Sequence, residues 1–295
     1  MNLRDLQYLV ALAETGHFGE AAERCHVSQP TLSAQIKKLE EYLGVQLFER
    51  QPRKVSLTEA GRRIVERARH ITQEAEDIRE LARASRDPLS GKLRIGLIPT
   101  IAPYLLPRVA VTLGRKLPKL SLMLYEYQTQ PLLQKLRDGE LDLAILALPS
   151  STEGLETRSL FAETFVVAMP RNHRLATRRR LKPADLEGEK ILLLEEGHCL
   201  RDQALEVCGT VALSEESDFR ATSLETLRQM VAAGLGITLL PRLAAEGPIA
   251  GARGIEFRPF APPSPSRSVG AAWRKSSTRE TAIAAVCDII RSADR

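Results

Sequence analysis

The sequence has few cysteines, few aromatic residues and no long apolar segment. Four cysteines in 295 residues are too few for a disulfide scaffold, so a disulfide in this protein is expected to be a signal or a catalytic step. Aromatic residues make up 4% of the chain, which argues against an aromatic-rich binding surface. No run of about 18 apolar residues occurs, and the N-terminus lacks the small-residue cleavage site of a signal peptide. We therefore expect a cytoplasmic protein that does not bind membranes.

Several common catalytic motifs are also missing. The phosphate-binding loop GxxxxGK, the zinc-protease motif HExxH and the nucleophile motif GxSxG do not occur. The spacing of His198, Cys199 and Cys208 does not fit a structural zinc site. We therefore expect no enzyme activity, no metal and no cofactor.

Size and charge leave room for a DNA-binding protein without requiring one. The chain is long enough for a small domain joined to a larger one of about 200 residues. Its net charge is +5, but the first 90 residues hold 14 basic and 14 acidic residues, so bulk charge is no argument for nucleic acid. Between positions 37 and 63, seven basic residues outnumber four acidic ones. An argument for DNA binding must therefore rest on where the basic residues lie in the sequence.

Three short helical patterns occupy the first 45 residues. The first pattern ends at Gly16, and the second contains Ala21 and Ala22, whose small side chains let another helix approach closely. The third starts at Ser28, a good N-cap, and ends at Gly44. Two helices joined by a tight turn, the second polar at its exposed N-terminal end, are typical of a helix-turn-helix whose second helix enters the major groove.

The residues expected to contact DNA lie on this third helix and on a basic turn after it. They are Ser28, Gln29, Pro30, Thr31, Ser33, Gln35, Lys37, Lys38, Arg50, Arg53 and Lys54. Polar side chains of the helix can reach base edges, while the two lysines are placed for phosphates. The basic turn lies between two short β-like runs, which favours a wing over the DNA backbone. The alternative is a small helical domain with solvated charges.

The stretch FGEAAERCHVSQPTLSAQIKKLEEYLGVQLFERQPRKVSLTEAG resembles the DNA-binding domain of LysR-type transcriptional regulators over its whole length. The resemblance implies a winged helix-turn-helix over residues 1–58 and promoter DNA as a partner.

A heptad pattern follows this domain. Apolar residues recur at steps of four and three, at Ile64, Ala68, Ile71, Ala75, Ile78 and Ala82. This seam predicts a linker helix over residues 59–87 that pairs with a second copy. A homodimer would then read two half-sites roughly 34 Å apart or a multiple of that. The alternative is a single helix that packs on its own domain.

The remaining residues predict an α/β sensing domain. Short apolar runs alternate with helical patterns after Gly91, which favours a mainly parallel sheet with helices on both faces. The family resemblance implies two subdomains like those of periplasmic binding proteins, residues 91–161 with 267–295 and residues 162–266, with an effector cleft between them. Thr100 and Thr129 each follow a strand of the first subdomain, so their hydroxyls can converge on that cleft. Either threonine can instead simply cap the next helix.

Two cysteines lie nine positions apart in the stretch GHCLRDQALEVC. A regular helix would hold their Cα atoms about 13.5 Å apart on opposite faces, whereas a disulfide needs about 7 Å or less. A bond between Cys199 and Cys208 would therefore require the segment to unwind, which is what a switch needs. His198, Arg201 and a helix start favour a thiolate at Cys199, which we assign as the attacking thiol, with Cys208 as the resolving one. The alternative is two ordinary buried cysteines.

The stretches EEGHCLRDQALEVC and FRATSLETLRQMVAAGLGITLLP resemble the peroxide-sensing members of the LysR-type family. The resemblance implies that hydrogen peroxide oxidises Cys199, that a disulfide with Cys208 remodels the sensing domain, and that a homotetramer then recruits RNA polymerase. It also implies reduction by a cellular thiol system of the glutaredoxin or thioredoxin kind. It assigns peroxide binding to Thr100, Thr129 and His198, and it implies that Arg267 lies near the reactive cysteine. Arg201 and Asp202 join this set from their positions beside Cys199, where Asp202 can orient His198 or Arg201. We interpret Cys25 and Cys287 as structural.

Three functions compete on this sequence. The first is a peroxide-responsive activator of antioxidant genes, switched by the Cys199–Cys208 disulfide. The second is a LysR-type regulator controlled by a small organic effector in the cleft, with incidental cysteines. The third is a thiol peroxidase, for which a DNA-binding domain would have no use.

Overall fold

The computed structural model describes residues 1–51, 54–84, 87–208, 220–246 and 254–293. The chain forms two compact units, residues 1–86 with 138–140 and residues 87–137 with 141–295. Each unit has its own cluster of buried apolar side chains. Within the described ranges, no helix combines the length and the apolar character needed to cross a membrane.

The first unit is a winged helix-turn-helix followed by a long helix. Its elements are α1 (Leu3–Thr15), α2 (Phe18–Arg24), α3 (Gln29–Leu43), β1 (Phe48–Gln51), β2 (Lys54–Leu57) and α4 (Glu59–Ala84). Asn2 and Asp5 form a capping box at the start of α1. Gly16, at a φ of 65°, ends the helix in the left-handed conformation that favours glycine. The helix-turn-helix expected from the sequence is confirmed.

Helix α3 begins and ends where its sequence predicts. The Ser28 side chain accepts a hydrogen bond from the backbone N–H of Thr31 at 3.3 Å, and Pro30 lies in the first turn, where its missing N–H costs nothing. Gly44, at a φ of 70°, ends the helix. The buried apolar residues of α3 are Leu32, Ile36 and Leu39. They hold the helix on the small core and leave its N-terminal end exposed.

The wing is an antiparallel hairpin of β1 and β2, tied to the helices on both sides. The Glu40 carboxylate of α3 accepts hydrogen bonds from the backbone N–H groups of Leu47 at 2.9 Å and Phe48 at 3.2 Å. The Thr58 hydroxyl accepts one from Gly61 at 2.9 Å, at the start of α4. The position of the wing relative to α3 is therefore set by side-chain contacts to the backbone.

The apolar seam of α4 is divided between two environments. Ile64 and Ala68 pack on the core of the first unit, where Ala68 is 2% exposed. Ile71 and Ile78 are 49% and 68% exposed. The first part of the seam therefore packs on its own domain, and the later part remains available to a second copy. The homodimer stays a prediction.

The second unit is a mixed α/β structure. Its elements are β3 (Gly91–Leu97), α5 (Ala102–Lys116), β4 (Leu120–Glu126), α6 (Thr129–Arg137), β5 (Leu143–Leu148), β6 (Leu155–Pro170), β7 (Leu193–Leu194), α7 (Cys199–Cys208), β8 (Arg220–Ala221), α8 (Leu224–Ala232), β9 (Thr238–Pro241), α9 (Arg242–Glu246), β10 (Ile255–Pro259), β11 (Ser266–Arg274) and α10 (Glu280–Ala293). Short 3₁₀ turns lie at Arg174–Thr177 and Pro183–Leu186.

The main sheet is mixed, so the expectation of a mainly parallel sheet is wrong. Its strand order is β10-β6-β11-β5-β3-β4, with β9 also paired to β6. Strand β3 runs parallel to β4 and β5, but β11 is antiparallel to β5 and β6, and β6 is antiparallel to β9 and β10. The chain returns through the sheet along β6 and β11, and these returns create the antiparallel pairs.

Strand β6 joins the two parts of this sheet. Residues 155–164 pair with β11, and residues 165–170 pair with β9 and β10. The subdomain boundary expected after residue 161 therefore falls inside one continuous strand. The sequence interpretation missed the first half of β6 and all of β10. Four polar residues in a row follow Leu155 in the stretch LETRS, so it lacks the continuous apolar run that marks the buried strands.

Helix α7 begins at Cys199 and ends at Cys208, which confirms the helical pattern of this segment. The two cysteines are therefore its first and last residues. Residues 209–219, which follow the helix, lie outside the described ranges. In this fold the two thiols are held apart by a complete helix.

Candidate functional site

Cys199 lies at the wall of a cleft in the second unit. The cleft has a volume of about 770 Å³, and its lining includes Thr129, Asp202 and Arg267. On its other side, Cys199 borders a narrow space beside Thr100, Thr129 and His198 that has no room for a molecule the size of water. A small reactant therefore approaches the sulfur from the cleft.

Arg267 is fixed beside this cleft by four contacts. It lies on β11 opposite Glu163 of β6, and its Nε and Nη2 are 2.8 and 2.7 Å from Glu163 Oε2. Nη1 and Nη2 donate to the hydroxyl and the carbonyl oxygen of Thr100, each at 3.0 Å. All three residues are buried, so the orientation of the guanidinium is set by the protein and not by solvent.

Glu163 links this ion pair to another element. Its Oε1 accepts a hydrogen bond from the backbone N–H of Leu243 at 2.8 Å, in the first turn of α9. Both carboxylate oxygens are thus used, as a buried charge requires. The pair joins β6, β11, α9 and the turn after β3.

The neighbours of the Cys199 thiol shift its pKa in opposite directions. Burial raises its pKa above the ordinary value, and the nearby Asp202 carboxylate adds to that effect. The Arg267 guanidinium and the Thr129 hydroxyl lower the pKa, without fully offsetting burial. Near neutral pH the resting group is therefore mostly a thiol, and its proton must leave when it reacts.

The two predicted threonines lie near Cys199 and make different contacts. Thr100 accepts from Arg267 through its hydroxyl oxygen, so its own proton remains available to donate. The Thr129 hydroxyl lies beside Cys199, is buried, and has no hydrogen-bond partner of good geometry among the described residues. The Thr129 hydroxyl can contact a polar molecule in the cleft, which this residue lines, whereas Thr100 borders the narrow space that has no room for a molecule the size of water.

His198 is buried and neutral. Its Nε2 lies 3.1 Å from Nε2 of Gln128 and 3.9 Å from Glu195 Oε1. Burial lowers the pKa of the ring, although Glu195, a backbone hydrogen bond with Thr222 and Glu126 oppose this. The sequence interpretation placed a positive charge here, but at neutral pH the ring supplies none.

Arg201 and Asp202 differ in their relation to Cys199. The Arg201 guanidinium donates to the backbone carbonyl of Leu194 at 3.5 Å. Asp202 is exposed and lines the cleft. The cation that lowers the pKa of Cys199 is Arg267, which lies far away in the sequence.

The other cysteines are more deeply buried or lie elsewhere. Burial raises the pKa of Cys208 to about 11, and at 7% exposure its sulfur has little access to solvent. Cys287 is fully buried in α10, and burial raises its pKa to about 11 as well. Cys25 is half-buried at the end of α2. No group of metal-binding side chains is found in the ranges that the structure describes.

The predicted DNA-contacting residues of α3 are mostly exposed. Ser28, Gln29, Pro30, Thr31, Lys37 and Lys38 are exposed, and Ser33 and Gln35 are half-buried. Ala34 is also exposed, although it carried no signal in the sequence, and a methyl group at such a position can contact a thymine methyl. Arg50 and Lys54 lie on the hairpin strands, but their side chains, and Arg53 entirely, lie outside the described residues.

Sequence reasoning missed two polar residues of the candidate site, Gln128 and Glu163. Gln128 directly precedes Thr129 at the end of a strand, and this position was the signal available for it. Glu163 lies within a strand that the interpretation began at residue 165, and its partner is 104 residues away. No local pattern points to that pair.

Comparison with known proteins places both units in one family. Residues 3–62 match the bacterial regulatory helix-turn-helix protein, lysR family, and residues 86–295 match the LysR substrate binding domain. The chain is 49% identical over 292 residues to the hydrogen peroxide-inducible genes activator of Dickeya chrysanthemi, covering 99% of this chain and 95% of that protein.

Solved structures of members of the same family are also similar to this chain. Full-length OxyR from Pseudomonas aeruginosa is 45% identical, with a TM-score of 0.81 and coverage of 99% of this chain and 95% of that chain. A cysteine-to-serine mutant of OxyR from Corynebacterium glutamicum, bound to hydrogen peroxide, is 36% identical, with a TM-score of 0.69 and coverage of 99% of this chain and 92% of that chain. The chain therefore belongs to the LysR family of bacterial helix-turn-helix regulators, and it is similar over nearly its whole length to OxyR, the hydrogen peroxide-inducible genes activators.

Proposed function

We propose that this protein is a hydrogen-peroxide-responsive transcriptional activator of antioxidant genes, switched by a reversible disulfide between Cys199 and Cys208. The observation that carries the proposal is the placement of these two thiols at opposite ends of α7, with the first one beside Arg267. The similarity to peroxide-inducible activators and to a peroxide-bound relative supports it.

The first step is an oxidation of Cys199. The thiolate sulfur attacks one oxygen of hydrogen peroxide, an S–O bond forms, the O–O bond breaks, and hydroxide leaves as water after taking the thiol proton. The product is a sulfenic acid. Arg267 favours the thiolate. We propose that the hydroxyl of Thr129, which lines the cleft, holds a peroxide oxygen, and that Thr100 orients Arg267.

The second step joins the cysteines. The Cys208 thiolate attacks Cys199 Sγ, the S–O bond breaks and a second hydroxide leaves as water. In the helix, the two Cα atoms are about 13.5 Å apart, whereas a disulfide needs about 7 Å or less. The bond therefore forms only when α7 unwinds, and once formed it excludes the helix.

The signal reaches DNA through the first unit. The exposed N-terminal end of α3 fits the major groove, with the wing over the backbone. The exposed later part of the α4 seam fits a homodimer, and dimers pair into a homotetramer. We propose that the oxidised tetramer recruits RNA polymerase at promoter DNA.

Reduction returns the protein to its resting state. A dithiol reductant of the glutaredoxin or thioredoxin kind attacks the disulfide, the protein thiols are released, and the reductant leaves oxidised. Helix α7 then re-forms, because nothing remains to exclude it.

Thiol labelling after treatment with stoichiometric peroxide tests this function. We expect Cys199 and Cys208 to lose alkylation together while Cys287 stays unreacted in both states. Cys199→Ser is expected to abolish the peroxide-induced change in the DNA footprint. A footprint change that survives in Cys199→Ser would contradict the proposal.

The cleft also favours a second candidate function. Its volume of about 770 Å³ is far larger than peroxide requires and is within the range of sites that bind small organic molecules. Thermal stabilisation by such a molecule, unchanged in Cys199→Ser, would support a regulator controlled by the cleft.

A further inference from the structure

The side chain of Gln128 contacts the turn that leads into α7. Gln128 lies between β4 and α6, and its Nε2 is 3.2 Å from Glu195 Oε1 and 3.1 Å from His198 Nε2. A carboxylate only accepts hydrogen bonds, so the amide nitrogen must be the atom that faces Glu195. An amide nitrogen only donates, so Nε2 of His198 is an acceptor.

The other ring nitrogen of His198 therefore carries the proton. The ring also hydrogen-bonds to the backbone of Thr222. Because Nε2 already accepts a hydrogen bond, the group that donates to Thr222 is Nδ1–H. Glu195 and Glu126 are the acidic groups near the ring, and both favour its charged form, but burial outweighs them. The geometry thus selects one neutral tautomer and leaves no free lone pair on the ring.

Gly197 lets the Gln128 amide lie against the backbone of the same turn. Gly197 has a φ of 95°, and a Cβ there would be 2.7 Å from Gln128 Oε1 and 3.2 Å from its Cδ. One amide therefore contacts Glu195, Gly197 and His198, the three residues that set the entry of the chain into α7.

We infer that Gln128 is a positioning residue for the oxidation of Cys199, which fixes His198 as a neutral Nδ1–H tautomer and holds the turn before α7. This inference rests on the proposed reaction of Cys199. Among the described residues, Arg267 is then the cation that lowers the pKa of the Cys199 thiol, and the Asp202 carboxylate opposes it by raising that pKa. His198 is a buried neutral side chain that packs beside Cys199, and it takes no proton from the thiol.

Histidine NMR on the full-length protein tests the tautomer directly. With ¹⁵N-labelled histidine, and with His198→Asn to identify the signal, we expect the chemical shifts of a neutral Nδ1–H ring at pH 7. An Nε2–H tautomer or a charged ring at that pH would overturn the inference. This measurement needs no reaction with peroxide, so it stands apart from the proposed function.

Gln128→Glu tests the positioning role. A carboxylate at this position accepts from the ring and attracts a proton, so the His198 pKa should rise by about 1 unit or more. Gln130→Glu is the matched control, because the exposed Gln130 lines the same cleft and the substitution adds the same charge. We expect no shift of the His198 pKa in this control.

The rate of sulfenic acid formation, measured against pH in the Cys208→Ser background, connects this shift to the reaction. With Gln128 present, we expect the rate to rise with thiol ionisation alone, without a histidine step. Gln128→Glu should add a step at the raised His198 pKa, and removal of His198 should abolish that step. A histidine step already present with Gln128, or an unchanged His198 pKa in Gln128→Glu, would overturn the inference. If Cys199 does not react at all, the proposed function fails while the NMR result still decides the tautomer.

Discussion

The two ends of α7 carry the same residue in different surroundings. Cys199 is half-buried, borders the cleft and lies beside the cation of Arg267. Cys208 is 7% exposed, and burial alone accounts for its pKa of about 11. The difference comes from β11 and α6, which supply Arg267 and Thr129, and not from the helix itself. We therefore propose that tertiary contacts set the order in which the thiols react.

Serine substitutions should separate the two ends most strongly. Cys208→Ser is expected to keep the first step, so a sulfenic acid accumulates at Cys199 and can be trapped by a dimedone-type reagent. Cys199→Ser should leave Cys208 unoxidised at the same peroxide concentration, because a thiol with a pKa of about 11 has very little thiolate near pH 7. Mass spectrometry of the trapped peptides measures both. Rapid oxidation of Cys208 in Cys199→Ser would contradict the asymmetry.

Removal of the Arg267 cation should slow the reaction of Cys199, at the N-terminal end of α7. Without Arg267 the Cys199 pKa should rise further, and each unit lowers the thiolate fraction at neutral pH about tenfold. We expect the alkylation rate of Cys199 to fall by about that factor. Because a lone buried carboxylate would destabilise the fold, the substitution is made as Arg267→Met with Glu163→Gln, which keeps an acceptor for the N–H of Leu243.

Arg201→Met is the control for that prediction. Arg201 is two residues from Cys199 in the sequence, but its guanidinium donates to Leu194. We expect less than about a twofold change in rate from its loss. Equal effects of the two arginines would show that nearness in sequence, and not the buried contact network, controls the thiol.

A methyl group at Gly197 should disturb the reactive end alone. Gly197→Ala forces a left-handed backbone on alanine and brings its Cβ 2.7 Å from the Gln128 amide, at a cost of about 1–3 kcal/mol. Urea unfolding should show that loss, and the alkylation rate of Cys199 should change. Gly188→Ala is the matched control, since it has a φ of 74° with nothing near its added Cβ. A similar change in Cys199 reactivity in both variants would rule out a specific role for the Gln128 contact.

The buried end should show itself in the pH dependence of stability. The folded pKa of Cys208 is about 11 against an ordinary value of 9.0, so below pH 9 both states are protonated and no stability is lost. Between these values the unfolded thiol ionises first, and stability falls as pH rises, by up to about 2 kcal/mol. Urea unfolding of the wild type and Cys208→Ala across this range should show a smaller decline in the variant. Parallel declines would contradict the burial of Cys208.

Local signals predicted the parts of the fold that local chemistry controls. Helix α3 lies between Ser28 and Gly44 as expected, and α7 begins at Cys199 and ends at Cys208. The seam of α4 was visible, but its division into a packed and an exposed part depends on where α1 lies. Hydrophobic periodicity gives the face of a helix and not its partner.

Contacts between distant residues could not be predicted in the same way. Arg267 meets Glu163 and Thr100 across 104 and 167 positions, and Gln128 meets His198 across 70. The cation at Cys199 was therefore assigned locally to His198 and Arg201, because sequence shows neighbours along the chain alone. Arg267 entered through family resemblance, and its contacts emerge only from the pairing of β6 with β11.

Hydrogen exchange of the α7 amides, before and after oxidation, tests most directly whether the helix must unwind to form the disulfide. The amides near the C-terminal end of α7, residues 203–208, should be protected in the reduced protein. Formation of the Cys199–Cys208 disulfide by stoichiometric peroxide should remove that protection, and reduction should restore it. A disulfide that forms while these amides stay protected would contradict the account.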